Sequence, residues 1–272
     1  MLIRSGQLPA NGDRTHAMTN STNNRRHGPA RRVPQRDEDD IIFGVHAITE
    51  ALANPRRQIK VLKCTRNALP RLQAALAARP DLTPELVHRK DLDRLTGPDA
   101  VHQGAVMMAR PLKQPHLDKI DRTGTVVLLD QVTDPHNVGA IMRSCAAFAV
   151  SALVATARHS PEGSAVVVKS ASGAAEYVPF VKVTNLARAM EELREYGFTI
   201  VGLDSEADST VEQLTVKQPL AIVLGAEGKG LRKLTRETCD HLARLDLPGH
   251  IQSLNVSNAA ALTLYALRPQ PK

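Results

Sequence analysis

At 272 residues, with 42% hydrophobic and 23% charged side chains, the chain has room for about two domains and enough apolar material to bury their cores. No apolar run approaches the roughly 18 residues of a membrane span, and Cys64, Cys145 and Cys239 form no CxxC pair, which argues against a spanning helix, a zinc knuckle or a dithiol redox centre. The formal charge of +7 and pI near 9.5 favour a polyanionic partner, but the charge is unevenly placed: the first forty residues hold seven arginines and carry +2, leaving a mild +5 for the rest.

Residues 1–40 are rich in Arg, Asn, Ser and Pro and lack apolar periodicity, so a disordered basic tail is expected there. The stretch TNSTNN lacks the apolar face of a transit peptide, and Met18 offers an alternative start. From Ile41 the pattern becomes compact. It predicts a helix through HAITEALA, a strand at KVLKC, a helix through PRLQAALAA, a short strand at ELVHR, a helix at DLDRLTG and a strand at GAVMMA, a small α/β unit over 41–112. PLKQPHLDKIDRTG, with two prolines and many charges, reads as a linker, placed at 113–122.

Residues 123–272 then alternate strand and helix. TVVLLDQV is a continuous apolar run suited to a buried parallel strand; ALVAT, FVKV, FTIVGLD, PLAIVLG and HLARLDL are further strands. Between them lie helical patterns at NVGAIMRSCAAF, AVVVKSASG, LARAMEELREYG, RKLTRET and LNVSNAAALTLYAL. Such alternation predicts a parallel sheet covered on both faces, an α/β fold. Cys145 falls in an apolar helical stripe and is expected as a small core residue.

Three polar clusters are not explained by a core. In DPHNVGAIMR, Asp134 suits a helix N-cap and Pro135 the first helical position, so capping accounts for both. At about 100° per residue, Val138, Ile141, Met142, Cys145 and Ala149 form one stripe, and Arg143 lies roughly 140° from its centre. Arg143 is therefore either a solvated arginine or one delivered to a ligand or a neighbouring subunit. In LGAEGKG, Gly225, Gly228 and Gly230 permit close backbone approach to a ligand beyond a strand end. The spacing is GxxGxG and Gly230 stands where a phosphate-binding GK[ST] loop needs Ser or Thr, so nucleotide hydrolysis and ordinary dinucleotide binding are poorly supported. In PGHIQSLNVSNAAALTLYAL, Ser253, Asn255 and Ser257 crowd a helix start where one capping residue would suffice.

Together, DQVTDPHNVGAIMRS, IVLGAEGKGL and PGHIQSLNVSNAAAL resemble the three ordered motifs of the SpoU (TrmH-type) RNA ribose 2′-O-methyltransferases. FGVHAITEAL and AVHQGAVM resemble the RNA-binding domain of those members that methylate a guanosine of 23S rRNA. The resemblance implies a SPOUT catalytic domain, a parallel sheet with a deep trefoil knot, preceded by a small L30e-like RNA-binding domain. It implies a homodimer that takes S-adenosylmethionine and no metal and acts on structured RNA, while the scattered cysteines fit a reducing, cytoplasmic setting and the short apolar runs a chain without membrane contact. Carried over residue by residue, it places Gly225, Ala226, Glu227, Gly228, Leu245, Leu247, Ser253, Leu254 and Asn255 around the cofactor. Arg143, Asn137, Glu227, Ser253 and Asn255 form the catalytic set. A guanidinium is effectively always protonated, so Arg143 is expected to stabilise charge on the ribose oxygen rather than remove its proton, and in a dimer it could reach the other subunit's site. Glu227 is expected to organise the loop and the Asn137 region. The chain departs from the family where Leu245, Asp246 and Leu247 replace the common Ile-Pro-Met, with Pro248 one step later. A tRNA methyltransferase of the same family and an inactive RNA-binding or ribosome-assembly factor are the rival readings.

Overall fold

The computed structural model describes residues 39–97, 99–158, 171, 173–251 and 253–269. The expected tail up to residue 38 and most of the expected AVVVKSASG helix lie outside them.

The N-terminal part is a four-stranded sheet in the order β1-β4-β2-β3. Its elements are β1 (Asp40–Phe43), α1 (Val45–Ala53), β2 (Ile59–Cys64), α2 (Leu69–Leu76), β3 (Glu85–Leu86), α3 (Arg89–Thr96) and β4 (Ala105–Ala109). The apolar side of α1, Val45, Ala47, Ile48, Ala51 and Leu52, packs on Leu62, Met107 and Leu72 to make one core. Strand β1 was not anticipated. It begins at Asp40, inside the segment expected as tail, and pairs antiparallel with β4 from Asp40↔Ala109 to Phe43↔Val106. The predicted strand ELVHR shrinks to two exposed residues, because His88 already caps α3.

The second part is a six-stranded sheet, all of whose pairings are parallel, in the order β10-β8-β9-β5-β6-β7. It contains β5 (Thr125–Asp130), α4 (Pro135–Ala147), β6 (Ala152–Thr156), β7 (Phe180–Val183), α5 (Leu186–Glu195), β8 (Thr199–Leu203), β9 (Leu220–Gly225), α6 (Lys233–Thr238), β10 (His241–Ala243) and α7 (Val256–Ala266). The continuous apolar run of β5 has the cause expected of it, two covered faces. Val127 and Leu129 join the core under α4 and α7, while Val126 and Leu128 join the core under α5. Caps fix the helix starts: the Asp134 carboxylate accepts from the His136 N–H, Asn185 from that of Arg188 and Asn255 from that of Ser257.

Two boundaries differ from expectation. The helix expected through Phe148 ends at Ala147, so Ala149, at φ 52°, is exposed instead of closing the buried stripe. Strand β10 stops at Ala243 because Leu245–Leu247 leave the sheet to wall a cleft. The expected linker is also less loose than its prolines suggest: Leu117 and Ile120 are buried against the core under α5, and Gln114 Oε1 accepts the Phe180 N–H at 2.8 Å.

A buried ionic clasp joins the two sheets. Arg57, 2% exposed, donates from Nε to both carboxylate oxygens of Glu176 (3.1 and 3.2 Å) and from Nη1 to Asp40 (2.7 Å) and the Arg110 carbonyl (2.9 Å). Asn54 Nδ2 adds a bond to Glu176 at 2.8 Å.

Candidate functional site

Strand β9 ends at Gly225, in register with Asp130 of β5, and the chain then turns back through residues 226–230. The turn closes tightly, the Gly230 N–H donating to the Ala226 carbonyl at 2.9 Å. A Cβ on Gly225 would lie 2.2 Å from the Gly230 carbonyl carbon and 2.6 Å from the Leu231 nitrogen, so backbone crosses backbone and only glycine fits. Beneath the turn, buried Asp130 accepts from the Arg232 N–H (2.9 Å) and from its Nε (2.6 Å), which fixes the exit toward α6. Sequence reasoning did not single out Asp130; the only hint was a carboxylate ending an otherwise apolar strand.

The turn walls a cleft of about 310 Å³ at the carboxyl ends of the strands, where open α/β sheets bind small molecules. Gly225, Ala226, Glu227, Gly228, Leu245, Leu247, Ser253 and Leu254 all line it. Asn255 stands just behind, in a polar network at the rim. Glu227 Oε1 receives three donors: Asn137 Nδ2 (3.0 Å), Asn255 Nδ2 (2.6 Å) and the Val256 N–H (3.3 Å). Asn255 Nδ2 also reaches Asn137 Oδ1 at 3.0 Å, and Asn255 Oδ1 caps α7. One carboxylate thus ties together residues from three segments separated by 90 and 28 positions. Leu203, Ser205 and Arg244 line the cleft too and were missed, having no motif around them.

Arg143 is not part of this assembly. It is exposed, on the face of α4 opposite the buried Val138, Ile141, Met142 and Cys145, as the helical arithmetic required. It lines a separate hollow with His46 and Glu50 of α1 and with Tyr177. There the Tyr177 hydroxyl donates to Glu50, and that bond pushes the phenol's pKa up. The thiols offer no nucleophile: burial raises all three, Cys239 up to about 12.

A parallel α/β sheet with a cleft built by a glycine turn and the approach to the last helix, preceded by a separate small α/β sheet, is the architecture of solved SpoU-type methyltransferase structures. The chain belongs to the SpoU rRNA methylase family, whose model matches residues 124–265; a second model, for RNA 2′-O ribose methyltransferase substrate binding, matches residues 41–115. It is 39% identical over 239 residues to the 23S rRNA (guanosine-2′-O-)-methyltransferase RlmB of Pseudomonas aeruginosa, covering 84% of this chain and 96% of that one. The protein of the same name from Bordetella pertussis is 36% identical, covering 83% and 95%. The fold is that of the SpoU methyltransferase AviRb from Streptomyces viridochromogenes, solved with AdoMet, at a TM-score of 0.71, 24% identity and coverage of 85% and 89%.

Proposed function

We propose that the chain transfers a methyl group from S-adenosylmethionine to the ribose 2′-hydroxyl of a guanosine in 23S rRNA, acting in the cytoplasm as a homodimer. The observation that carries this reading is the Asn137–Glu227–Asn255 network, which draws three distant motifs onto the rim of one cleft. The RlmB relatives, similar across both parts of the chain, supply the nucleotide and the RNA. The reading divides the chain into a basic tail that ends before Asp40, an RNA substrate-binding domain that takes in β1 and runs to residue 112, a connecting segment (113–122) and a catalytic domain (123–272) knotted in its C-terminal part.

The cleft suits such a cofactor. Gly228 and Gly230 leave open space where side chains would stand, Leu203, Leu224 and Leu254 give apolar walls for an adenosyl group, and Glu227 and Asp246 give negative charge for a cation. When bound, S-adenosylmethionine supplies an electrophilic methyl on a sulfonium. Gly225, Ala226, Gly228, Leu245 and Leu247 line its place, Leu245 offering backbone to the adenine in spite of the altered turn. Ser253, Leu254 and Asn255 close it from the α7 side. Glu227 acts as an organiser, since three donors on one oxygen fix its carboxylate and hold Asn137 and Asn255 in position.

As the 2′-oxygen takes the methyl from the sulfonium it loses its proton to water or a phosphate oxygen, and the negative charge growing there needs a fixed cation. Arg143 meets that need, permanently charged and held on a rigid helix. It lies outside its own chain's cleft, which supports a role at the cleft of a partner subunit. The test has two arms: calorimetry of S-adenosylmethionine with the purified protein, and mapping of 2′-O-methylation on rRNA and tRNA from cells lacking the gene. One methylated guanosine vanishing from 23S rRNA is the expected result. Loss of a tRNA site would replace the substrate, and absence of cofactor binding would leave an RNA-binding factor.

A further inference from the structure

The hollow around Arg143 lies away from the cofactor cleft, and no residue lines both. Its volume is about 270 Å³, within reach of a nucleoside. Four polar side chains line it, His46 among them. Arg143 comes from α4, Glu50 from α1 of the small sheet, and Tyr177 from the turn between β6 and β7. The Tyr177 hydroxyl donates to Glu50 Oε2 and orients the carboxylate, with the exposed His46 ring nearby.

The placement is built rather than incidental. Gly173, at φ 93°, begins the turn that carries Tyr177, and a Cβ there would come within 3.0 Å of Glu50 Cγ and 3.4 Å of the Ala47 backbone. The turn therefore sits directly on α1. Its next residues lead to Glu176, which the clasp of Arg57 and Asn54 grips in the interior. A buried ion group gives little net stability for its desolvation cost, but it fixes one geometry. Here the geometry it fixes is the small sheet's α1 against the Tyr177 turn, beside Arg143.

We infer that this hollow receives the target nucleotide, and that Glu50, a residue of the small N-terminal sheet, reads the guanine base. The inference rests on the guanosine methylation proposed above and names the residue that would make it selective. Guanine is the base whose Watson–Crick edge presents two adjacent N–H donors, N1–H and the N2 amino group, which match the two oxygens of a carboxylate. Adenine presents an acceptor at N1 and is repelled. A single-stranded base can also stack on the 59% exposed ring of Tyr177, as flipped RNA bases do on aromatic side chains. Arg143 then stands by the ribose and its phosphates. The base reader and the arginine come from one chain, and the cofactor from the other.

The experiment uses the full chain and a synthetic RNA spanning the guanosine that the wild type methylates in 23S rRNA, made with either guanosine or inosine at that position. Inosine lacks the N2 amino group, and a lost hydrogen bond to a carboxylate is worth about ten- to a hundredfold. The wild type should prefer guanosine by that factor in kcat/KM. Glu50→Gln should bring the preference to within about twofold while calorimetry finds S-adenosylmethionine binding unchanged. Tyr177→Phe, which keeps the ring but frees the carboxylate, should raise KM for the RNA more than it lowers kcat. If Glu50→Gln keeps the guanosine preference, or the wild type accepts inosine equally, Glu50 is not the reader. If the wild type methylates no guanosine at all, the proposed function fails first and this inference falls with it.

Discussion

Replacing Arg57 with methionine removes the cation from between two buried carboxylates while keeping most of the side-chain volume. Arg57, Asp40 and Glu176 are each at most 4% exposed, so water cannot replace what is lost. Breaking a buried ion group by deleting one member costs about 3–5 kcal/mol, a large part of the roughly 5–15 kcal/mol that holds a domain folded. In urea, with slopes of about 1–3 kcal/mol per molar, the midpoint should fall by roughly 1–5 M at constant slope. The triple variant Asp40→Asn, Arg57→Met, Glu176→Gln removes all three charges and should recover most of that loss, because the penalty belongs to the uncompensated charge. Both variants should bind S-adenosylmethionine normally, since none of the three residues lines the cofactor cleft. A loss below about 1 kcal/mol in Arg57→Met, or a triple variant no better than the single one, would refute the reasoning.

Gly225→Ala should abolish cofactor binding in calorimetry, since its methyl group would meet the Gly230 backbone at 2.2 Å and drive the turn out of place. Gly228→Ala has open space at its Cβ position and meets only the left-handed backbone strain of φ 75°, about 1–2 kcal/mol, so it should lose less than Gly225→Ala; equal losses would remove the steric argument. Mixing Arg143→Ala and Glu227→Ala chains in equal amounts should restore about a quarter of wild-type activity, because half the dimers are mixed and each of those keeps one intact shared site. No recovery would mean that each chain completes its own site. At pH 8 the three thiols should resist alkylation in the folded protein, as read by mass spectrometry. With Cys239 at about 12 against an ordinary 9.0, the unfolded chain loses that proton first as pH rises above 9, so stability should fall between pH 9 and 12. Cys239→Ala should flatten that decline.

Much of the catalytic half was legible because its determinants are local. Strands β5 and β9 announce themselves by unbroken apolar runs, the caps Asp134 and Asn255 by residue type, and the outward face of Arg143 by helical periodicity. The three motifs located the residues that the structure gathers around Glu227. What stayed hidden is non-local. Asp40, Arg57 and Glu176 are far apart in the chain, and no spacing rule joins them. Four residues of β1 are too few to show alternation beside an acidic run. Leu245 to Leu247 look like strand, and only the cleft they face explains why they leave the sheet.

Helix α4 carries Asn137 in its first turn and Arg143 six residues on, about 9 Å further along a stiff rod. A tilt of only 5° about the Asn137 end would therefore swing the Arg143 backbone by about 0.8 Å. Displacements of that size at a reacting centre change rates by up to about a hundredfold. The buried side of the rod, Val138, Ile141, Met142 and Cys145, sets that tilt. Under the role proposed for Arg143, core packing beneath α4 becomes a means of tuning turnover from residues that line neither the cleft nor the hollow.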